Sequence, residues 1–241
     1  SSYLQNFTYG WQSQGQSING NNYDVVIPNY FRQEDFVFKE KKQDYFLYLG
    51  RLIIRKGILT ANEIAKTLGK KLIIAGQGVK SWDEKTKTLV ADEFTVSGNI
   101  EYVGYADKDK RNELMSNAMC TIVATDYLEP FGGVSIESLF CGTPVITTNF
   151  GCFPETIPHG VVGYRGTTLD QFVWAAKNIS KIKPRTCREY AINNYGIEKV
   201  GKMYMEWFDS LYQLYLSSIA KGKGWSYVNK DRKDLNWLNK R

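Results

Sequence analysis

Short apolar runs alternate with segments of helical period through the middle of the chain. The runs are continuous rather than alternating apolar with polar, which is typical of parallel strands covered on both faces. They predict strands over residues 24–27, 45–50, 71–76, 100–103, 120–124 and 144–148. Strands that alternate with helices in this way indicate an α/β fold with a doubly wound, mostly parallel sheet.

The helices between these strands carry start and stop signals. Asp107 is expected to begin a helix that runs towards residue 118, and Thr168 opens a capping box before a helix that reaches about residue 178. Between the second and third predicted strands, a segment that is apolar on one face predicts a helix, and Gly69 is expected to end it. A further helix is predicted over residues 133–141. These signals place loops directly after the predicted strands.

The two ends of the chain differ from this core. Residues 1–23 are rich in Gln, Asn, Gly and Ser without a period, and we interpret them as a linker or the remnant of an absent N-terminal domain. The α/β domain is assigned to residues 24–196. Residues 197–220 form a long amphipathic helix whose aromatic stripe needs a partner surface, either within the chain, in an absent domain or in a second copy.

The charge is concentrated at the C-terminus. Residues 221–241 hold seven basic and two acidic residues, whereas the other 220 residues hold 24 basic and 23 acidic ones. A nearly neutral body does not predict a nucleic-acid-binding face. Trp225, Tyr227 and Trp237 lie among the basic residues of the tail. The tail is either packed or frayed, or makes a peripheral contact with an acidic membrane surface or a glycan.

The cysteines and the N-terminal sequence bear on the compartment. Four cysteines lack metal or redox spacing and are interpreted as reduced core residues, and no charged-then-apolar signal segment opens the sequence. These features predict a cytoplasmic protein. We expect no metal and no cofactor.

The first two candidate loops contain glycines and cations. Gly50, Arg51 and Lys56 follow the second predicted strand at the start of a helix, where cations and backbone N–H groups together suit a diphosphate. The alternative is a solvated basic turn. Gly76 and Gly78 follow the third strand and permit close backbone approach to a ligand, although a tight turn is the simpler interpretation.

The strongest signal is Glu129-Pro-Phe-Gly-Gly-Val-Ser-Ile-Glu137. Gly132 and Gly133 open a helix and leave its N–H groups free to approach a phosphate. Glu129 in the loop and Glu137 one turn into the helix are expected to accept hydrogen bonds from sugar and ribose hydroxyls, because carboxylates accept from both hydroxyls of a diol.

These motifs occur in one order, together with Tyr102-Val-Gly and Cys141-Gly-Thr-Pro-Val-Ile. Over residues 24–215 the sequence resembles the C-terminal, donor-binding domain of retaining family-4 glycosyltransferases of the GT-B fold. The resemblance implies a Rossmann-like domain that forms one half of a GT-B enzyme. It departs from the family at Cys152, which stands where a second glycine is usual.

The resemblance also implies a role for each candidate residue. Arg51 and Lys56 would neutralise the donor diphosphate as the glycosidic bond breaks, and Glu129 would hold the transferred sugar. Glu137 would bind the ribose. The remaining donor contacts would come from Gly50, Gly76, Gly78, Val103, Tyr105, Phe131, Gly132 and Gly133.

The implied reaction is transfer of a sugar from a UDP- or GDP-type donor to a glycan or other hydroxyl acceptor, with retention at the anomeric carbon. Because the leaving phosphate assists the acceptor, no strong protein base is required, and the single histidine, His159, is expected to be a turn residue. Since residues 1–23 are too short for an acceptor domain, this chain alone is expected to lack one. The alternative is a non-catalytic nucleotide-binding or assembly module that kept the fold.

Overall fold

The computed structural model describes residues 1–12 and 25–220. The strands are β1 Tyr45–Leu49, β2 Lys71–Ala75, β3 Val79–Asp83, β4 Thr88–Ala91, β5 Thr95–Ser97, β6 Ile100–Tyr102, β7 Cys120–Val123, β8 Val145–Thr148 and β9 Gly163–Gly166. The helices are α1 Ser2–Gln12, α2 Ile58–Leu68, α3 Lys108–Asn117, α4 Gly133–Phe140, α5 Phe153–Thr156, α6 Leu169–Asn178, α7 Pro184–Tyr195 and α8 Ile197–Ala220.

Six strands form one parallel sheet in the order β6-β2-β1-β7-β8-β9. The chain winds outward from β1 to one edge, returns to the centre at β7 and winds to the other edge, so the predicted doubly wound fold is confirmed. The winding direction changes between β1 and β7. In open α/β sheets, ligands bind beyond the carboxyl ends of the strands at this switch point.

The core occupies both faces of the sheet. Alternate residues of β1 enter different clusters: Phe46 and Tyr48 belong to the larger cluster, with α2 and α4, whereas Tyr45 and Leu47 belong to a smaller one, with α3. Burial on both faces explains why the strand sequences are continuously apolar. The caps formed as expected, because Asp107 accepts a hydrogen bond from Lys110 N and Thr168 accepts one from Gln171 N.

One connection differs from the usual pattern of such sheets. Between the parallel strands β2 and β6 the chain forms an antiparallel three-stranded sheet, β3-β4-β5, in place of a crossover helix. Leu89 and Val96 of this small sheet are buried in the larger core cluster. This small sheet was not predicted from the sequence, because β3 is largely exposed and lacks an aliphatic run.

The structure of the N-terminal region differs from the sequence pattern in two respects. Residues 2–12, part of the segment without a period that was interpreted as a linker or a remnant of an absent domain, form α1, and the N–H groups of Ser2 and Tyr3 donate to the carboxylate of Glu155 at 2.9 and 2.6 Å. A carboxylate at the start of a helix accepts from its first N–H groups and interacts favourably with the helix dipole, which stabilises α1. Residues 25–27 are not a strand, and the rest of the predicted strand lies outside the described residues.

Helix α8 forms where the long amphipathic helix was predicted. Val200 is fully buried, but Phe208 and Tyr212 remain more than half exposed. Tyr204 and Trp207 line a cavity of about 460 Å³ whose other wall includes residues of α1. Among the helices of residues 1–12 and 25–220, none is both long and apolar enough to cross a bilayer. The basic tail, with its proposed membrane or glycan contact, lies outside the described residues.

Candidate active site at the sheet switch point

The loops that follow β1 and β7 are locked together at the switch point. Asp126 N donates to the carbonyl of Arg55 at 2.8 Å. Gly57, at the start of α2, has φ +79°, and a Cβ atom there would lie 1.9 Å from the carbonyl oxygen of Ala124. Only glycine fits this backbone contact. The two loops that carry Lys56 and Glu129 are therefore held at a fixed separation.

Lys56 and Glu129 meet directly across this contact. Lys56 Nζ lies 3.2 Å from Glu129 Oε2, and the two side chains are only 26% and 13% exposed. The hydroxyl of Tyr127 contacts both groups, accepting from Lys56 and donating to Glu129. Lys56 Nζ also lies 4.5 Å from the centre of the Tyr127 ring, which is the geometry of a cation–π contact. We call Lys56, Tyr127 and Glu129 the inner triad.

Burial and the neighbouring Glu129 raise the pKa of the Tyr127 phenol far above its usual range, while the positive charge of Arg51 acts in the opposite direction. Tyr127 is therefore a neutral hydrogen-bonding group at physiological pH. Both cations predicted for a diphosphate, Arg51 and Lys56, belong to the segment between β1 and α2, on one side of the switch point.

The glycines after β1 and β2 join their loops into one rim. Gly50 N donates to Ala75 O at 3.0 Å, and Leu52 N donates to Gln77 O at 2.8 Å. A Cβ atom on Gly76 would lie 1.8 Å from the Gly50 carbonyl, so a side chain is excluded there. A cavity of about 250 Å³ lies above this rim. It is lined by Leu49, Gly50, Arg51, Ala75, Gly76, Gln77, Tyr105, Ala106, Arg111 and Val134.

The amino end of α4 is open towards the site. Gly132 caps the helix in the left-handed conformation, and a Cβ atom there would collide with the ring of Phe153. A Cβ atom on Gly133 would meet nothing within 4 Å. The first N–H groups of a helix have no acceptor within it, so open space at this position leaves them free for an anion.

The loop after β8 contacts the backbone of Glu129. Gly151 has φ +66°, and a Cβ atom there would lie 2.8 Å from Glu129 N. Cys152 N donates to Glu129 O at 2.9 Å. Cys152 has φ −77° and ψ −17°, an ordinary conformation for a residue with a side chain. Its departure from the family's second glycine therefore leaves the loop geometry intact.

Glu137 lies on the other side of the α4 start, where it contacts Arg111 of α3. Their side chains are 17% and 35% exposed. Both residues line a cavity of about 400 Å³, which shares Arg111 and Tyr105 with the 250 Å³ cavity. The two cavities therefore adjoin. We call Arg111 and Glu137 the outer pair.

The predicted residues are thus brought to one end of the sheet, with two differences in detail. Phe131 places its ring in the core, stacked 6.3 Å from Phe31, so only its backbone remains for a ligand. Val103 packs against the smaller core cluster, whereas Tyr105 is 70% exposed beside both cavities. Tyr127 and Arg111 were not among the predicted site residues. A tyrosine two residues before Glu129 was the available signal for the first.

The remaining reactive side chains are structural. His159 Nδ1 accepts a hydrogen bond from Arg165 N at 3.1 Å within its turn, as expected. All four cysteines are buried and free, and burial raises the pKa of each thiol, to about 11 for Cys141. Within residues 1–12 and 25–220, no group of three or more His, Cys, Asp or Glu side chains is arranged to hold a metal ion.

Known proteins are similar to this chain in sequence. An uncharacterized glycosyltransferase of Methanocaldococcus jannaschii is 28% identical over 171 residues, which are 68% of this chain and 42% of that protein. A glycogen synthase of Mycobacterium tuberculosis is 32% identical over 127 residues, 48% of this chain and 28% of the synthase. The chain thus spans less than half the length of these relatives.

The fold is also found among solved structures. The Anabaena protein HepE, whose structure was determined in complex with UDP-glucose, matches 77% of this chain with a TM-score of 0.60 and 16% identity. The match covers 57% of HepE. This likeness establishes the α/β fold of GT-B glycosyltransferases. The sequence profile of the family described as glycosyl transferases group 1 matches residues 31–194. Because that match takes in β1 to β9 and both candidate loops, this chain belongs to the glycosyl transferases group 1 family.

Proposed function

We propose that this chain is the donor-binding half of a retaining glycosyltransferase, and that it binds a nucleoside diphosphate sugar at the sheet switch point. The observation that supports the proposal is the lining of the 250 Å³ cavity by Arg51 and by Val134 in the first turn of α4, with Lys56 in the same loop as Arg51. Cations next to free helix N–H groups form a favourable environment for a diphosphate. A diphosphate is also the phosphate group of UDP-glucose, the molecule bound in the HepE structure.

In the proposed complex, the diphosphate lies above Gly50 and Gly76 and before Gly133. Lys56 turns from Glu129 towards a phosphate oxygen, which leaves the Glu129 carboxylate to accept hydrogen bonds from hydroxyls of the transferred sugar. Glu137 accepts from the ribose hydroxyls. The two acids thus contact the sugars on either side of the diphosphate, and the positive charges contact the group between them.

In the proposed reaction, the protein forms no covalent bond with the sugar. The bond between the anomeric carbon and the phosphate oxygen breaks, and its electron pair leaves with the diphosphate. The acceptor hydroxyl oxygen forms the new bond on the same face, and its proton passes to the leaving phosphate. Arg51 and Lys56 stabilise the negative charge that grows on the diphosphate, which is catalysis by preorganised electrostatics. No metal or cofactor has a role in this proposal.

The acceptor is a glycan or another hydroxyl compound, bound mainly by a second domain that would pack against α8. HepE, as its complex with UDP-glucose indicates, binds a donor of the proposed class. The four buried thiols support the further proposal that the chain works in the reducing cytoplasm.

A thermal-unfolding panel tests the proposal. The melting temperature of the chain is measured with millimolar UDP, GDP, ADP, their glucose or mannose conjugates, and inorganic pyrophosphate. Because a ligand that binds the native state raises its stability, at least one diphosphate should raise the melting temperature in a concentration-dependent manner. A panel in which no diphosphate shifts the transition would refute donor binding and favour the alternative of an assembly module.

A further inference from the structure

The 400 Å³ cavity contains more charged groups than a ribose contact uses. In addition to the outer pair, its wall includes Asp35, from the turn Gln33–Asp35, and Lys108 at the start of α3. Lys108 Nζ lies 2.6 Å from Asp35 Oδ1. Two carboxylates, Asp35 and Glu137, and two cations, Lys108 and Arg111, therefore line the cavity, and the proposed ribose contact uses only Glu137.

The same cavity also has apolar surfaces. Phe36 and Met115 line it, and the Phe36 ring is fixed by stacking on Phe140 at 5.1 Å. Tyr105 stands at the boundary with the 250 Å³ cavity, with 70% of its surface exposed. Apolar faces combined with polar groups at the edge are the surroundings that a planar heterocycle requires, because its faces are apolar and its rim carries donors and acceptors.

We propose that this cavity binds a guanine base, so that the donor of this glycosyltransferase is a guanosine diphosphate sugar. The inference rests on the proposed function, because the diphosphate above Gly50 and the ribose at Glu137 direct the base into the cavity. Guanine carries two adjacent donors, N1–H and the 2-amino group, which together match the two oxygens of one carboxylate. Its O6 and N7 atoms are acceptors suited to arginine or lysine. Asp35 supplies the carboxylate, and Arg111 and Lys108 supply the cations.

The other common bases fit this set of groups less well. Uracil has one N–H between two carbonyl oxygens, so a carboxylate that accepts from the N–H faces a second acceptor. Adenine and cytosine each place an unprotonated ring nitrogen beside the amino group, and a carboxylate is repelled by that lone pair. A buried polar group left without a partner is the usual source of strong discrimination between ligands.

The position of Asp35 is fixed by Asn112 of α3. Asn112 Nδ2 donates to the carbonyl oxygen of Asp35 at 2.7 Å, and Asn112 Oδ1 accepts from Val37 N at 3.2 Å. These two bonds tie the turn to the helix that carries Lys108 and Arg111. The backbone segments that carry the acid and the cations are therefore joined to each other, which helps to select a base by its hydrogen-bonding pattern.

Calorimetric titration with GDP, UDP, ADP and inosine diphosphate tests the assignment. Inosine diphosphate lacks only the 2-amino group of GDP, so it probes the contact with Asp35 without altering the protein. For the unmodified chain we expect GDP to bind at least tenfold more tightly than UDP or ADP, and at least fivefold more tightly than inosine diphosphate. Asp35→Asn should reduce the preference for GDP over UDP below threefold. The matched control Glu34→Gln removes a neighbouring exposed charge and should keep the full preference.

The possible failures are distinct. Equal or tighter binding of UDP by the unmodified chain would overturn the guanine assignment and leave the proposed function standing. A GDP preference that survives in both Asp35→Asn and Arg111→Leu would show that another surface reads the base, which also overturns the inference. If none of the four diphosphates binds, the proposed function itself fails. Thermal unfolding of each variant confirms that it is folded before it is titrated.

Discussion

The inner triad and the outer pair flank the same helix start, yet they are built differently. In the inner triad, Lys56 and Glu129 are joined by a salt bridge and also bridged by Tyr127, within loops locked by a glycine contact. In the outer pair, Arg111 and Glu137 depend on each other, between two helices. The side chains of the inner ion pair are also less exposed, at 26% and 13% against 35% and 17%.

This difference indicates two kinds of task. Groups that stabilise developing charge must be fixed before the reaction, which suits a bridged and partly buried cluster. Groups that admit and select a nucleoside must accept a ligand and release it, which suits a more exposed pair beside a large cavity. We therefore expect changes in the inner triad to affect every diphosphate ligand, and changes in the outer pair to affect only ligands that carry a nucleoside.

The largest expected effect is on stability at the inner loops. Gly57→Ala introduces a side chain at φ +79° and 1.9 Å from a backbone oxygen, and should lower the free energy of unfolding by about 3 kcal/mol or more. Gly69→Ala is the matched control, because Gly69 has φ +63° with nothing within 4 Å, and should cost only about 1 kcal/mol. Urea unfolding measures both. Equal losses would show that the two loops are not rigidly locked.

Removal of the inner cation should weaken every phosphate ligand. Lys56→Met is expected to reduce the affinity for both inorganic pyrophosphate and nucleoside diphosphates by about 2 kcal/mol, the contribution of a charged hydrogen bond. Lys66→Met, which changes an exposed lysine on α2, the helix that follows Lys56, is the control and should leave both affinities unchanged. Calorimetric titration provides the numbers. Unchanged pyrophosphate binding in Lys56→Met would remove Lys56 from the diphosphate site.

The strands differ in how well their sequences predict them. The buried strands β1, β2 and β7 were predictable because burial on both faces leaves a continuous apolar run. Strand β9 was not, since Gly163-Tyr-Arg-Gly contains two glycines; at Gly163 a side chain would lie 2.2 Å from a carbonyl of β8. Its sequence reflects close backbone packing rather than an apolar face.

The residues of the candidate site also differ in how well the sequence predicts their positions. Lys56, Glu129 and Glu137 follow predicted strands or open predicted helices, so their position in the chain indicated their position in space. Arg111 lies within α3 among other charged residues, where its sequence is that of a solvated helix face. Only the packing of α3 beside α4 brings Arg111 to Glu137. Local patterns do not encode that contact.

Removal of the outer acid should separate nucleoside from phosphate binding. Glu137→Ala is expected to weaken UDP and GDP by about 1–2 kcal/mol, because the ribose hydroxyls lose a charged acceptor, while pyrophosphate affinity stays the same. The same titrations measure both ligands. Equal losses for pyrophosphate and nucleoside diphosphates would mean that the two clusters do not divide the ligand as proposed.

The smallest expected effect belongs to the hydroxyl in the inner triad. Tyr127→Phe keeps the ring beneath Lys56 and removes the bridge to Glu129, so we expect about 1 kcal/mol less stability and about a fivefold loss of diphosphate affinity. Tyr30→Phe, on an exposed tyrosine, is the control. Urea unfolding and titration together check the result. A variant that binds as tightly as the unmodified chain would show that Tyr127 does not position the triad.

A crystal structure of the chain with a bound nucleoside diphosphate tests the central claim most directly. The account predicts phosphate oxygens within hydrogen-bond distance of Lys56 and before Gly133, with the ribose hydroxyls at Glu137. A nucleotide bound elsewhere, for example in the cavity between α1 and α8, would contradict it. So would a diphosphate that leaves the contact between Lys56 and Glu129 undisturbed and touches neither cluster.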